Sequence, residues 1–171
     1  MTQTPEHSKN DKHLRGYHRL MAFLYELSHQ PGKFDLTMAL TQAKEKVVEL
    51  KDLSHEEVEE IGQFILRDIE SAASFFHHTS KELKSWLLFD LFLIEHTLLE
   101  MFLSVADKTK LALLNLDRQL NWDLEYHTGQ IIGLGTLKCK NCNHRAHFHK
   151  PSHIPPCAHC RGTVFHRIND E

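Results

Sequence analysis

The sequence predicts a mainly α chain: helices over most of its length, then a small β module at the C-terminus. Three observations predict it. Positions 33 to 127 form a run of 95 residues with no proline and one glycine, Gly62. Such a run lacks the residues that break helices. Apolar residues within it recur at spacings of three and four. All four cysteines come after it, among prolines, glycines and short alternating segments that read as strands and turns.

The length of 171 residues allows one sizeable domain and a small module. Residues 1–11 are polar and have no apolar stretch of signal-peptide type, so they read as a disordered N-terminus with no visible signal peptide. The helical domain is expected over residues 12–127. Leu14, Tyr17, Met21, Leu24 and Leu27 give a first amphipathic helix, ended by Gln30-Pro31-Gly32. Leu36, Leu40, Ala43, Val47 and Leu50 mark a second, with Asp35 as its N-cap. Ser54-His55-Glu56-Glu57 has the capping-box pattern and opens a third. Its apolar face is Val58, Ile61, Ile65, Ile69, Ala72 and Phe76. Thr79-Ser80-Lys81-Glu82 opens a fourth, in which Trp86 to Ile94 is apolar except for Asp90. Asp90, Glu95, His96 and Glu100 argue against a membrane span there. A helix apolar on most sides is normally central. The other reading makes Trp86, Phe89, Phe92 or Phe102 a partner or self-association surface. A fifth segment is expected after Asp107, with Leu113, Leu116, Leu120 and Leu124 on one line. Short connections favour antiparallel neighbours, as a bundle, a coiled coil or long helical hairpins.

The cysteines fall in two pairs, Cys139-x-x-Cys142 and Cys157-x-x-Cys160, fourteen residues apart. Each C-x-x-C turn brings two thiolates to one side of a tight loop, and two such turns complete a tetrahedron. Zn²⁺ prefers that arrangement of four soft ligands. The expectation is therefore one structural Zn²⁺ on Cys139, Cys142, Cys157 and Cys160, within a zinc ribbon spanning 128–171. Other uses of the cysteines fit less well. A disulfide framework needs an oxidising compartment, and a thioredoxin-like dithiol needs a single C-x-x-C in a β-α-β setting. Iron in an S₄ site shares the ligand set. With reduced cysteines the expected location is the cytoplasm. Residues 130–132, 135–138, 146–149 and 163–167 read as extended segments. Asn143 follows the first pair where a left-handed residue is needed, and Gly133-Leu134-Gly135 reads as a hinge. So small a module has almost no core, and the metal must supply much of its folding free energy.

With these residues placed, the chain resembles the bacterial YbeL-like group of zinc-ribbon-containing proteins of unknown function. The resemblance rests on Tyr126-His127-Thr128-Gly129-Gln130-Ile131-Ile132-Gly133-Leu134-Gly135-Thr136-Leu137-Lys138-Cys139, then Cys142, Cys157, Cys160, Phe165 and Arg167. Upstream, Ala43 to Val47, Arg67-Asp68-Ile69-Glu70 and Ala106 to Thr109 match in kind and order, so it covers about Leu14 to Arg167. One departure is Arg161, where the family pattern has glycine directly after the last cysteine. The resemblance implies a helical N-terminal region and a metal-binding C-terminal one. It implies no activity. The fold class expected is thus an N-terminal antiparallel helical bundle or long hairpins followed by a small C-terminal β zinc ribbon.

Charge divides along the same line. Residues 1–127 hold 14 Lys+Arg and 21 Asp+Glu, net −7; residues 128–171 hold 6 and 2, net +4. A basic ribbon can serve nucleic-acid phosphates. The plainer reading is that Lys138, Lys140, Arg145 and Arg161 offset four thiolates. His144, His147, His149 and His153 could form a second metal site, though exposed ribbon side chains are the simpler reading. His77 and His78, adjacent on a helix, cannot both face one metal. A di-iron site needs Glu-x-x-His on two core helices, and the sequence holds that spacing once, at Glu26 and His29; Gly133-Leu134-Gly135 lacks the third glycine of a dinucleotide loop. No catalytic constellation or small-molecule site is evident. The function classes left are a non-enzymatic protein-interaction or regulatory module, a nucleic-acid-binding module that stacks bases on Phe148 or Phe165, and a thiol redox or metal sensor.

Overall fold

The computed structural model describes residues 5–78, 96–114 and 125–168. Four helices come first: α1 (Pro5–Ser28), α2 (Leu36–Glu49), α3 (His55–His78) and α4 (His96–Leu114). Six short strands follow: β1 (Glu125–His127), β2 (Ile131–Ile132), β3 (Gly135–Cys139), β4 (Arg145–Phe148), β5 (Ser152–His153) and β6 (Val164–Arg167). The helix-dominated chain with a small terminal sheet is the fold class the sequence predicts.

The local signals act as read. The Asp35 carboxylate accepts from Met38 N–H at 2.9 Å and starts α2. Both halves of the Ser54–Glu57 capping box form: Glu57 N–H donates to Ser54 Oγ at 3.2 Å, and Ser54 N–H donates to Glu57 Oε2 at 2.8 Å. These bonds satisfy N–H groups that a helix start leaves without partners. Three expectations need correction. α1 begins at Pro5, inside the stretch read as disordered. Leu50 caps α2 and is half exposed, so the apolar line of that helix ends at Val47. α4 runs unbroken through Asp107, because an acidic residue on a solvated face does not interrupt a helix. Phe102 is buried in the core, so it forms no partner surface. The remaining candidates for such a surface, Trp86, Phe89 and Phe92, lie outside the described residues, as do Leu116, Leu120 and Leu124.

α1 packs against all three other helices, and α3 packs against α2 and α4. Tyr17, Leu20, Met21 and Leu24 of α1 meet Ile61, Ile65 and Ile69 of α3 and Leu98, Phe102 and Val105 of α4. Each buried aliphatic of this kind contributes about 1.5–3 kcal/mol. No helix among the described residues is long and apolar enough to cross a membrane.

The strands form an antiparallel four-stranded sheet in the order β1-β6-β3-β4 and a separate β2-β5 pair. β1 and β5 add to the four extended segments read from the sequence. Alternation along β2 decides how the sheet meets the helices. Ile131 joins the helical core, while Ile132 joins a second core with Tyr126, Leu137, Phe148, Ile154 and Phe165. Adjacent strand residues face opposite ways, so two isoleucines in sequence sew the two parts together.

Candidate metal centre and the seam beneath it

Two knuckles of matching construction carry the cysteines. In the first, Cys139 N–H donates to His144 O and Asn143 N–H donates to Cys139 O, both at 2.9 Å. In the second, Cys157 N–H donates to Gly162 O and Arg161 N–H donates to Cys157 O, again at 2.9 Å. Each turn closes on a left-handed residue directly after its second cysteine: Asn143 at φ 62° and Arg161 at φ 62°. Arginine thus adopts the conformation for which the family pattern has glycine, and the second knuckle keeps its shape. A left-handed non-glycine residue costs about 1–2 kcal/mol.

The four Sγ atoms lie within 4.8 Å of one another. Cys139 and Cys160 sulfurs are 3.6 Å apart, as are those of Cys142 and Cys157. A tetrahedral zinc with bonds of about 2.3 Å places its sulfurs about 3.8 Å apart, so the donor set fits. Hydrogen bonds add to the fit. The Asn141 side chain and the Gly162 N–H, 3.4 Å from the sulfur, hold the Cys160 thiol down to about 6. A backbone hydrogen bond at His144 lowers Cys142 too, but burial and the three neighbouring sulfurs outweigh it and push that thiol up to about 12. Four thiolates so close cannot all ionise unless a cation compensates them. Among the described residues no other three His, Cys, Asp or Glu side chains come within that 4.8 Å reach. His144, His147, His149 and His153 therefore do not assemble a second centre.

Beneath the ribbon lies a buried polar seam to which the sequence reading gave no role. Asp68, fully buried on α3, accepts at Oδ2 from Gly133 N–H (2.7 Å) and Tyr17 Oη (3.4 Å). Its Oδ1 accepts from Tyr126 Oη (3.3 Å), Arg167 Nη2 (3.4 Å) and Arg67 Nε (3.4 Å). Arg167 also donates from Nη1 to Leu134 O at 2.9 Å and from Nε to Tyr126 Oη at 3.1 Å. Arg67 donates to Gln130 Oε1 and Ile131 O, both at 2.8 Å, and lies 3.8 Å from the Tyr126 ring centroid. Burial pushes the Tyr17 and Tyr126 hydroxyls up, Tyr17 the further, so both remain donors. A buried carboxylate is tolerated because two guanidiniums and three further donors surround it.

The Gly133-Leu134-Gly135 segment is accordingly no hinge. All three residues are buried. A β-carbon on Gly133 would strike Tyr17 Oη, and one on Gly135 would strike the Arg167 guanidinium. The glycines let the backbone approach the seam closely and hold it there. Phe148 and Phe165 are likewise buried in the ribbon core, which removes them as stacking platforms. Asp90 lies outside the described residues, as does Glu95.

Four converging thiolates on two knuckles of a small antiparallel sheet define a zinc-ribbon protein. The zinc-ribbon containing domain family matches residues 25–169, and the chain belongs to that family. It is similar to the uncharacterized protein YbeL of Escherichia coli K12, at 32% identity over 155 residues, which covers 88% of this chain and 92% of the relative. The YbeL protein of Escherichia coli O157:H7 matches to the same extent. No solved structure matches.

Proposed function

We propose that the protein is a non-enzymatic zinc-binding interaction protein. One structural zinc is held by Cys139, Cys142, Cys157 and Cys160, and the ribbon it stabilises is a docking surface for a partner. The closed donor set carries this reading. Four protein thiolates fill a tetrahedral zinc and leave no position for water or substrate, so the metal stabilises a fold and does not activate a reactant. The Asp68 seam supports it further. Arg167 and Tyr126 fix the ribbon on α3, so the surface has a set orientation relative to the helices. Four free thiols suit a reducing compartment, and the reading places the protein in the cytoplasm.

Affinity capture tests the reading. Tagged full-length protein loaded with zinc is compared with Cys157→Ser on the same cell extract. The zinc-loaded protein is expected to retain a defined partner that the variant loses. Equal capture by both would contradict a docking role for the ribbon.

A further inference from the structure

Alternation along the four-stranded sheet sorts its side chains cleanly. Tyr126, Leu137, Phe148, Phe165 and Cys139 face the ribbon core. Their neighbours face outward. Register then fixes which outward residues are adjacent. Lys138 of β3 stands directly opposite Arg145 of β4 and directly opposite His166 of β6 on its other side. One position along, His147 pairs with Thr136 and binds its hydroxyl at 2.8 Å. The outward face thus carries a row of basic side chains across three strands, with Arg145 exposed, Lys138 and His166 half-buried, and Thr136 beside them buried.

Two features make this row unusual. Like charges directly opposite one another on a sheet face destabilise it, yet Lys138 and Arg145 occupy such a pair. From Tyr126 to Ile168 the sequence contains no Asp or Glu. Glu125 sits across from His166 at the sheet edge and is bonded to Lys140 at 2.6 Å. Offsetting the thiolates does not explain the row, because Cys139 faces the opposite side of the sheet from Lys138. The two knuckles bring the exposed His144, which directly precedes Arg145, and His159 together, ring centroids 6.1 Å apart and 16° from parallel. Two bases stacked on a common neighbour are separated by about 6.8 Å, twice the rise of about 3.4 Å per base. A planar ring can therefore enter between these imidazoles with a small opening of the knuckles.

We propose that the outward face of this sheet binds single-stranded nucleic acid, with Lys138 and Arg145 on phosphates and His144 and His159 stacking a base. The inference rests on the ribbon being a docking surface and names the class of partner. Strands about 4.8 Å apart give the row a span matched to about three or four nucleotides, whose flexible backbone can follow a twisted sheet. A polypeptide of acidic residues alone would satisfy the cations but offers the imidazole pair no flat ring.

The test uses full-length, zinc-loaded protein and a fluorescent twelve-nucleotide uridine-rich RNA, with a DNA of the same sequence, a duplex and polyglutamate as competitors. Fluorescence anisotropy is expected to report saturable binding to the single strands. Affinity should fall with salt at a logarithmic slope of about −1.4, for two phosphates at about −0.7 each. Lys138→Gln with Arg145→Gln should weaken binding about tenfold or more, and His144→Ala with His159→Ala should weaken it several-fold, with zinc content and circular dichroism unchanged. Absence of binding at low salt, or wild-type affinity in both double variants, would overturn the proposal. So would displacement by polyglutamate as effective as displacement by RNA. Any of these results would leave the capture experiment, and the docking role it tests, standing on its own outcome.

Discussion

Arg167 on the last strand donates to Asp68 on the third helix across 99 positions of sequence, at 3.4 Å, and both side chains are almost wholly buried. This contact fastens the metal-bearing sheet to the helices. Both groups are charged, so each depends on the other for its solvation. Asp68→Asn keeps the size of the side chain but removes the charge that Arg167 and Arg67 face. Breaking a buried pair from one side typically costs about 3–5 kcal/mol. Chemical denaturation should show a loss of that order for Asp68→Asn, and a comparable one for Arg167→Met. In a double-mutant cycle the two losses should fall well short of adding, because each variant already leaves the other charge unpaired. Additive losses would show that the two side chains act separately.

The second knuckle bends at Arg161 in a conformation that suits glycine. Arg161→Gly should stabilise the ribbon by about 1 kcal/mol. Asn143→Gly should gain less, since asparagine tolerates the left-handed region. Competition with a chelator measures both, with the expected order Arg161→Gly above Asn143→Gly above wild type in zinc retention. A loss of retention in Arg161→Gly would mean that the arginine side chain makes up for its backbone.

Glu57 links the start of α3 to α1 by accepting from Lys12 Nζ at 2.9 Å and from Ser54 N–H at 2.8 Å. The Lys12 hydrogen bond, then the Ser54 one, lower its carboxyl from 4.5 to about 2. A depressed carboxyl contributes stability above its unfolded value and loses it as pH falls through the folded one. Wild type should therefore exceed Glu57→Gln by about 1 kcal/mol near neutral pH, after allowance for solvent screening. The gap should close as pH falls from about 4.5 to about 2. Thermal denaturation across that range checks it, and a pH-independent gap would locate the effect elsewhere.

The helices and the four-cysteine cluster were legible because their signals are local. Capping residues act within three positions, apolar spacing acts within one helix, and C-x-x-C defines its own turn. The seam was not legible because its parts are far apart in sequence. Asp68 interrupts the apolar face between Ile65 and Ile69, and Arg167 follows Phe165 at the inward-facing interval of two. Each was a visible anomaly: a charge where burial was expected. Nothing local says that one answers the other. Gly133 and Gly135 misled for a related reason. Glycine marks both flexible joints and close approaches, and only the neighbouring Tyr17 and Arg167 decide between them. Phe148 and Phe165 read as stacking groups until strand register placed them inside.

The account rests most directly on the four sulfurs, and metal analysis of the purified full-length protein tests it. About one zinc per chain is expected in the wild type, with marked loss on changing any one of Cys139, Cys142, Cys157 or Cys160 to serine. Full zinc occupancy in a variant lacking two of these cysteines would contradict it.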